Sequence, residues 1–266
     1  MLSGSAWDTH SITYSFPTSA AIYGSGYGEG EPLKGFHALT SAQQGVVRYA
    51  LNLISQYTLL TFTQITESNT THAMIRFGDS AVPPTSWTYL PSASKEGGDV
   101  WLGNIANVVP TKGSYAYVSI LHEIGHALGL KHGQENDGRH GVLPAGHDSG
   151  EWSVMDYHSY LGSGLTYTNA AGSGNQTYMI DDIAALQNLY GANYSTNAGN
   201  TTYSWSPTTG EMFINGVGAA PRRSSRNGPK RVYEYKNRLR RNELPANLVA
   251  GIYEPPQVAD QTTSSR

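Results

Sequence analysis

Residues 122–132 read His-Glu-Ile-Gly-His-Ala-Leu-Gly-Leu-Lys-His, three imidazoles and one carboxylate within eleven residues. On a helix, positions four apart share a face, so His122 and His126 can offer nitrogens to one cation while Glu123 projects beside them. Glu123 is thereby placed to touch water rather than metal. Gly129 is the natural helix stop, because a residue without Cβ can enter the left-handed region and turn the chain so that His132 returns toward the first two histidines. A lone helical His is usually an ordinary structural residue, but five fixed positions in one register leave little room for coincidence.

Three protein ligands leave a fourth position open, which is the habit of catalytic zinc rather than of structural zinc, where four protein ligands close the sphere. Zinc in such a site lowers the pKa of a bound water toward about 7 and polarises a carbonyl. Glu123 is the expected general base, taking a proton from that water and returning it to a leaving amine. The sequence thus predicts one catalytic zinc, held by His122, His126 and His132.

A second motif lies downstream at Ser153-Val154-Met155-Asp156-Tyr157, and a third at Met179-Ile-Asp-Asp-Ile-Ala-Ala-Leu-Gln-Asn-Leu-Tyr-Gly191. With the extended histidine motif, these resemble the metzincin clan of zinc endopeptidases, and within it the serralysins. The likeness extends over Trp7 to Phe16, Ala73 to Gly78 and Gly98 to Gly103, and fades after about Thr209 to Asn215. It implies an α+β, zincin-like catalytic domain over residues 1–219: a twisted, mixed five-stranded sheet over the active-site helix, above a loop-rich lower subdomain. It also implies a broad-specificity endopeptidase with protein or peptide substrates, a possible proteinaceous inhibitor, and a secreted, extracellular, bacterial setting.

By the same resemblance Met155 forms the turn beneath the imidazoles, an apolar floor and not a ligand. Tyr157 corresponds to a tyrosine that ligates zinc at rest and swings away to hold the tetrahedral intermediate, against the plain alternative of one packing tyrosine among 18. Gly98, Asp99, Val100, Trp101 and Leu102 correspond to a rim strand on which an extended substrate would pair through its main chain. Core packing is the competing reading for Trp101. The chain departs from the family pattern at Asp156, where Ser is usual, and through Gln134 to Trp152. A truncated zinc-binding domain without significant proteolysis is the alternative to an enzyme.

Composition fits these expectations. The chain of 266 residues has no Cys and a formal net charge of -3, enough length for a real core and no means of forming disulfides. No apolar stretch reaches the roughly 18 residues needed to span a bilayer, and Met1 to Trp7 lack the basic and apolar regions of a cleaved signal peptide. Residues 1–219 hold seven Lys and Arg against sixteen Asp and Glu, whereas 220–266 hold ten against four. The first part is thus acidic and the tail basic. The glycine-rich calcium-binding repeats expected after a serralysin catalytic domain are not found, which leaves calcium dependence open and the usual export signal missing from this reading. The tail reads as a disordered extension of foreign character, a divergent natural tail, or, least of all, a basic arm. A monomer without nucleic-acid or membrane partners is expected.

The elements that must position the histidines follow from periodicity. Thr40 and Gln43 make a capping box ahead of Val47, Ala50, Leu51 and Ile54, predicting a helix over Ser41 to Tyr57. Apolar spacing predicts the zinc helix over Ser114 to Leu128 and a third helix over Ile180 to Tyr190 with Gly191 as its cap. Thr61 to Thr66 and Ala73 to Phe77 read as strands of one sheet, and Gly162 to Gly174 as irregular surface.

Overall fold

The computed structural model describes residues 1–218 apart from 104, 106, 107, 138, 139, 197 and 208–211. The basic tail expected over 220–266 lies outside them. Five strands form one mixed sheet: β1 (Ser11–Ser15), β2 (Thr61–Gln64), β3 (Ile75–Asp79), β4 (Ser86–Thr88) and β5 (Val100–Leu102), in the order β2-β1-β3-β5-β4. β2, β1, β3 and β5 run parallel to one another, and β4 pairs antiparallel with β5.

Three helices follow the expected bounds closely: α1 (Ser41–Tyr57), α2 (Tyr115–Ala127) and α3 (Ile180–Tyr190). Thr40 Oγ1 accepts from Gln43 N at 3.3 Å and Gln43 Oε1 accepts from Thr40 N at 2.7 Å, closing the capping box and starting α1. Its buried stripe, Val47, Ala50, Leu51 and Ile54, joins Ile12, Ile75, Val100 and Leu102 from the sheet and Leu121, Ile124 and Leu128 from the α2 segment in one core. The acid-rich first part of the chain is thus an α+β unit in which α1, α2 and the sheet share their apolar faces. No helix among the described residues is long and apolar enough to cross a membrane.

Between α2 and α3 the described chain is turns and loops, matching the expected loop-rich lower part. A second, three-stranded antiparallel sheet, β6 (Tyr203–Trp205), β7 (Met212–Ile214) and β8 (Val217–Gly218), was not foreseen from the sequence. Short runs in a Thr-, Ser- and Asn-rich stretch carry little alternation to announce them.

The sheet corrects one expectation. β5 is not the rim: it lies between β3 and β4, so both of its hydrogen-bonding edges are taken. Val100, Trp101 and Leu102 are all buried, and Trp101 packs with Tyr23 and Tyr27 in a second, aromatic cluster on the sheet face opposite Val100 and Leu102. Gly78 makes room for that indole, since a Cβ there would come within 2.8 Å of Trp101 Cζ3. Asp99 is buried too, ion-paired at 2.6 Å with Arg76, whose Nε also lies 3.0 Å from both carboxylate oxygens. Gly98 turns the chain into β5 at φ +82, with Met74 O and the Trp7 ring too close for any side chain. Gly98 to Leu102 are therefore architecture, and the open edge on this side of the sheet is β4.

Candidate active site

Helix α2 is fixed at both ends. Ser114 caps its start, accepting from Tyr117 N at 3.3 Å. At its end Gly129 takes φ +95 and donates to His126 O at 2.9 Å, and a Cβ there would lie 2.1 Å from Ser5 O. Only glycine satisfies both the left-handed turn and that close approach. The last carbonyls of the helix, which have no partner within it, are met by side chains: Trp7 Nε1 donates to Ala127 O at 2.9 Å and Tyr190 OH to Leu128 O at 2.8 Å. The N-terminal segment and α3 thus hold the turn that brings His132 round.

The three imidazoles converge. Nε2 of His126 lies 3.0 Å from Nε2 of His122 and 3.1 Å from Nε2 of His132. Their other nitrogens face outward: Nδ1 of His122 lies 2.8 Å from Val154 O and Nδ1 of His126 lies 2.9 Å from Leu130 O. A carbonyl only accepts, so each of these Nδ1 atoms carries the proton and each Nε2 presents a lone pair. Lone pairs at this separation repel unless a cation lies between them. Zinc bonded to nitrogen at about 2.0–2.1 Å in a tetrahedral site sets its ligands about 3.3 Å apart, so the donor set and spacing fit zinc. Burial, then the neighbouring His126, holds His122 well below the usual histidine range and His132 down to about 4, which keeps both neutral and ready to ligate.

Glu123 sits one residue from His122 with 4% exposure. Its carboxylate is held from β4: Ser86 Oγ donates to Oε1 at 2.6 Å and Thr88 Oγ1 to Oε2 at 2.7 Å. Neither residue was singled out in the sequence, because Ser and Thr are common and the strand bearing them is only three residues long. Their spacing of two, which places both on one face of a strand, was the available signal.

Met155 is fully buried, with its sulfur packed where Gly125 of α2 lacks a side chain; a Cβ on Gly125 would be 2.4 Å from Sδ. The turn is anchored by α3, since Asp182 accepts from Val154 N at 2.9 Å, Ser153 Oγ at 2.7 Å and Met179 N at 2.8 Å. The sequence reading missed this function of Asp182, which links two motifs far apart in the chain. Tyr157 places its OH 2.8 Å from His132 Nε2, with its ring stacked 5.7 Å from that of His122. Burial, then Glu123, pushes its phenol up to about 12, so it stands as a proton donor at neutral pH.

The structure therefore brings His122, Glu123, His126, His132, Met155 and Tyr157 to one place, and leaves Gly98 to Leu102 out of it. Gly133, directly after the third histidine, is also explained: a Cβ there would lie 2.6 Å from Leu143 Cδ1 and 3.0 Å from Asp156 Oδ2.

No family model matches the chain. Curated relatives do. The chain is 32% identical over 224 residues to metallopeptidase AprA of Pseudomonas marginalis, covering 79% of this chain and 46% of that protein. Metalloprotease AprA of Pseudomonas entomophila is 30% identical over 240 residues, 82% of this chain and 48% of the relative. Serralysin A of Dickeya chrysanthemi is 30% identical over 187 residues, 67% of this chain and 39% of the relative. The chain thus spans less than half the length of these relatives. With the histidine site and the Met155 turn, the alignments show that this chain carries a serralysin-type metalloprotease catalytic region.

Proposed function

We propose that the chain is a secreted, zinc-dependent endopeptidase that hydrolyses peptide bonds of proteins with broad sequence tolerance. The observation that carries this reading is the convergence of three imidazole Nε2 atoms, with His126 Nε2 3.0 Å from His122 Nε2 and 3.1 Å from His132 Nε2, beside a buried carboxylate. His122, His126 and His132 would hold the zinc, which when bound would supply Lewis acidity for the scissile carbonyl and acidify the attacking water. Glu123 takes the proton of that water and gives it to the departing amine. Tyr157, protonated and within reach of the triad, donates to the oxyanion, and Met155 keeps the imidazoles in place from below.

Substrate binding moves from β5 to β4 in this account. The outer edge of Ser86–Thr88 has no strand beside it among the described residues, so an extended peptide can add there through main-chain hydrogen bonds, which tolerate many side chains. Secretion is supported by the family alone. The test is hydrolysis of casein and of a quenched peptide, with chelator and then with added zinc. Zinc-restored cleavage within the peptide is expected. A zinc-loaded protein that cleaves neither substrate points to the alternative, a metal-binding domain without proteolysis.

A further inference from the structure

We propose that Ser86 and Thr88 are positioning residues for the catalytic carboxylate, a pair of hydroxyls that hold both oxygens of Glu123 through the proton transfers; this rests on the peptidase reading above. In β4, alternate residues face alternate sides, so Ser86 and Thr88 point together toward α2 while Trp87 turns away and donates from Nε1 to Glu31 at 3.0 Å. Each hydroxyl meets a different oxygen of the same carboxylate, Oε1 at 2.6 Å and Oε2 at 2.7 Å. Two attachment points from one rigid strand fix both the position and the rotation of the carboxylate plane. Among the described residues no ion pair does this for Glu123, so the orientation comes from the two hydroxyls.

The residue types suit the cycle. A hydroxyl donates to a carboxylate and can rotate to accept from a carboxylic acid, whereas Lys or Arg could only donate. When Glu123 carries the proton between water and amine, the same two partners can serve both of its states. The same strand offers its outer edge to substrate, so base and peptide are registered against one element, and the misplacement of reacting groups that costs about a hundredfold per ångström is avoided.

The test uses the zinc-loaded protein. Ser86→Ala with Thr88→Val removes both hydroxyls while keeping size, and is expected to lower kcat about ten- to a hundredfold with KM changed less than about twofold and zinc content intact. Thr88→Ser, which restores the hydroxyl but loses the methyl group, recovers most of that kcat on the Ser86 background. A double variant with kcat within twofold of wild type overturns the proposal, as does Thr88→Ser being as impaired as Thr88→Val, which would mark a packing role. Wild-type protein without zinc-dependent cleavage would count against the peptidase reading instead. In that event crystal structures of both proteins decide the positioning claim: a carboxylate in the same place after both hydroxyls are removed contradicts it.

Discussion

Among the described residues, two clusters gather three potential metal ligands within 4.8 Å of one another, His122/His126/His132 and Asp148/Asp156/His158. They are built on opposite principles. In the histidine cluster the outward nitrogens of His122 and His126 are spent on carbonyls, so their inward atoms are lone pairs that face one another across about 3 Å. In the acidic cluster His158 Nδ1 lies between the carboxylates, 3.1 Å from Asp156 and 3.3 Å from Asp148, and His158 N donates to Asp156 at 2.8 Å. There Asp156 Oδ1 is met inside the cluster by an imidazole and a backbone N–H, while Asp148 Oδ1 and Asp156 Oδ2 are buried without a hydrogen-bond partner among the described residues. Burial, with Asp148 adding to it, pushes Asp156 up to about 6, whereas burial drives His122 and His132 down. Closeness of ligand atoms is common to both; what separates them is that the histidine cluster turns lone pairs inward, whereas the acidic cluster already has an imidazole N–H among its carboxylates.

The largest expected effect breaks the first cluster. His126→Ala should reduce bound zinc from about one per chain to a trace, whereas Asp156→Asn should leave zinc content unchanged, both read by elemental analysis. Loss of metal in the Asp156 variant would erase the distinction drawn here. Next in size, Tyr157→Phe should keep zinc and lower kcat about a hundredfold, the milder end of what removal of a single oxyanion donor costs. Unchanged kcat would return Tyr157 to a packing role.

Smaller effects concern acid stability of the metal-free protein. His122 and His132 have folded pKa values below the unfolded value near 6.5, so the unfolded chain takes up their protons first and stability should fall as pH drops from about 6.5 to 4. Asp156 acts with the opposite sign: its folded pKa, about 6, lies above the unfolded value near 3.8, so its contribution declines as pH rises through the same window. Relative to wild type, melting temperature should therefore fall more toward acid across that range in Asp156→Asn and less in His132→Gln. An unaltered slope in either variant contradicts the corresponding assignment.

The sequence disclosed what local signals encode. α1 and α3 begin and end where their caps and apolar spacing placed them, α2 is shorter by one residue at each end, and Gly129 turns the chain as its missing Cβ allows. The histidine motif could be read because ligand spacing and helix period are both short-range. Strand order is not. Whether Val100–Leu102 lies at the rim depends on Ser86–Thr88, a three-residue strand just after Pro83-Pro84 whose pairing is decided across the sheet. The Arg76–Asp99 ion pair, the Asp182 anchor of the Met155 turn and the hydroxyls on Glu123 are likewise contacts between distant residues that no periodicity announces. The likeness to the serralysins supplied the role proposed for Tyr157 and also suggested the rim strand that the sheet relocates.

The central claim is that three histidines hold zinc while Glu123 moves protons. It is tested most directly by measuring zinc content and peptide cleavage side by side in wild type and Glu123→Ala. The expected result is about one zinc in both proteins and cleavage lower by several orders of magnitude in the variant. Cleavage at the wild-type rate by the zinc-loaded variant would contradict the account.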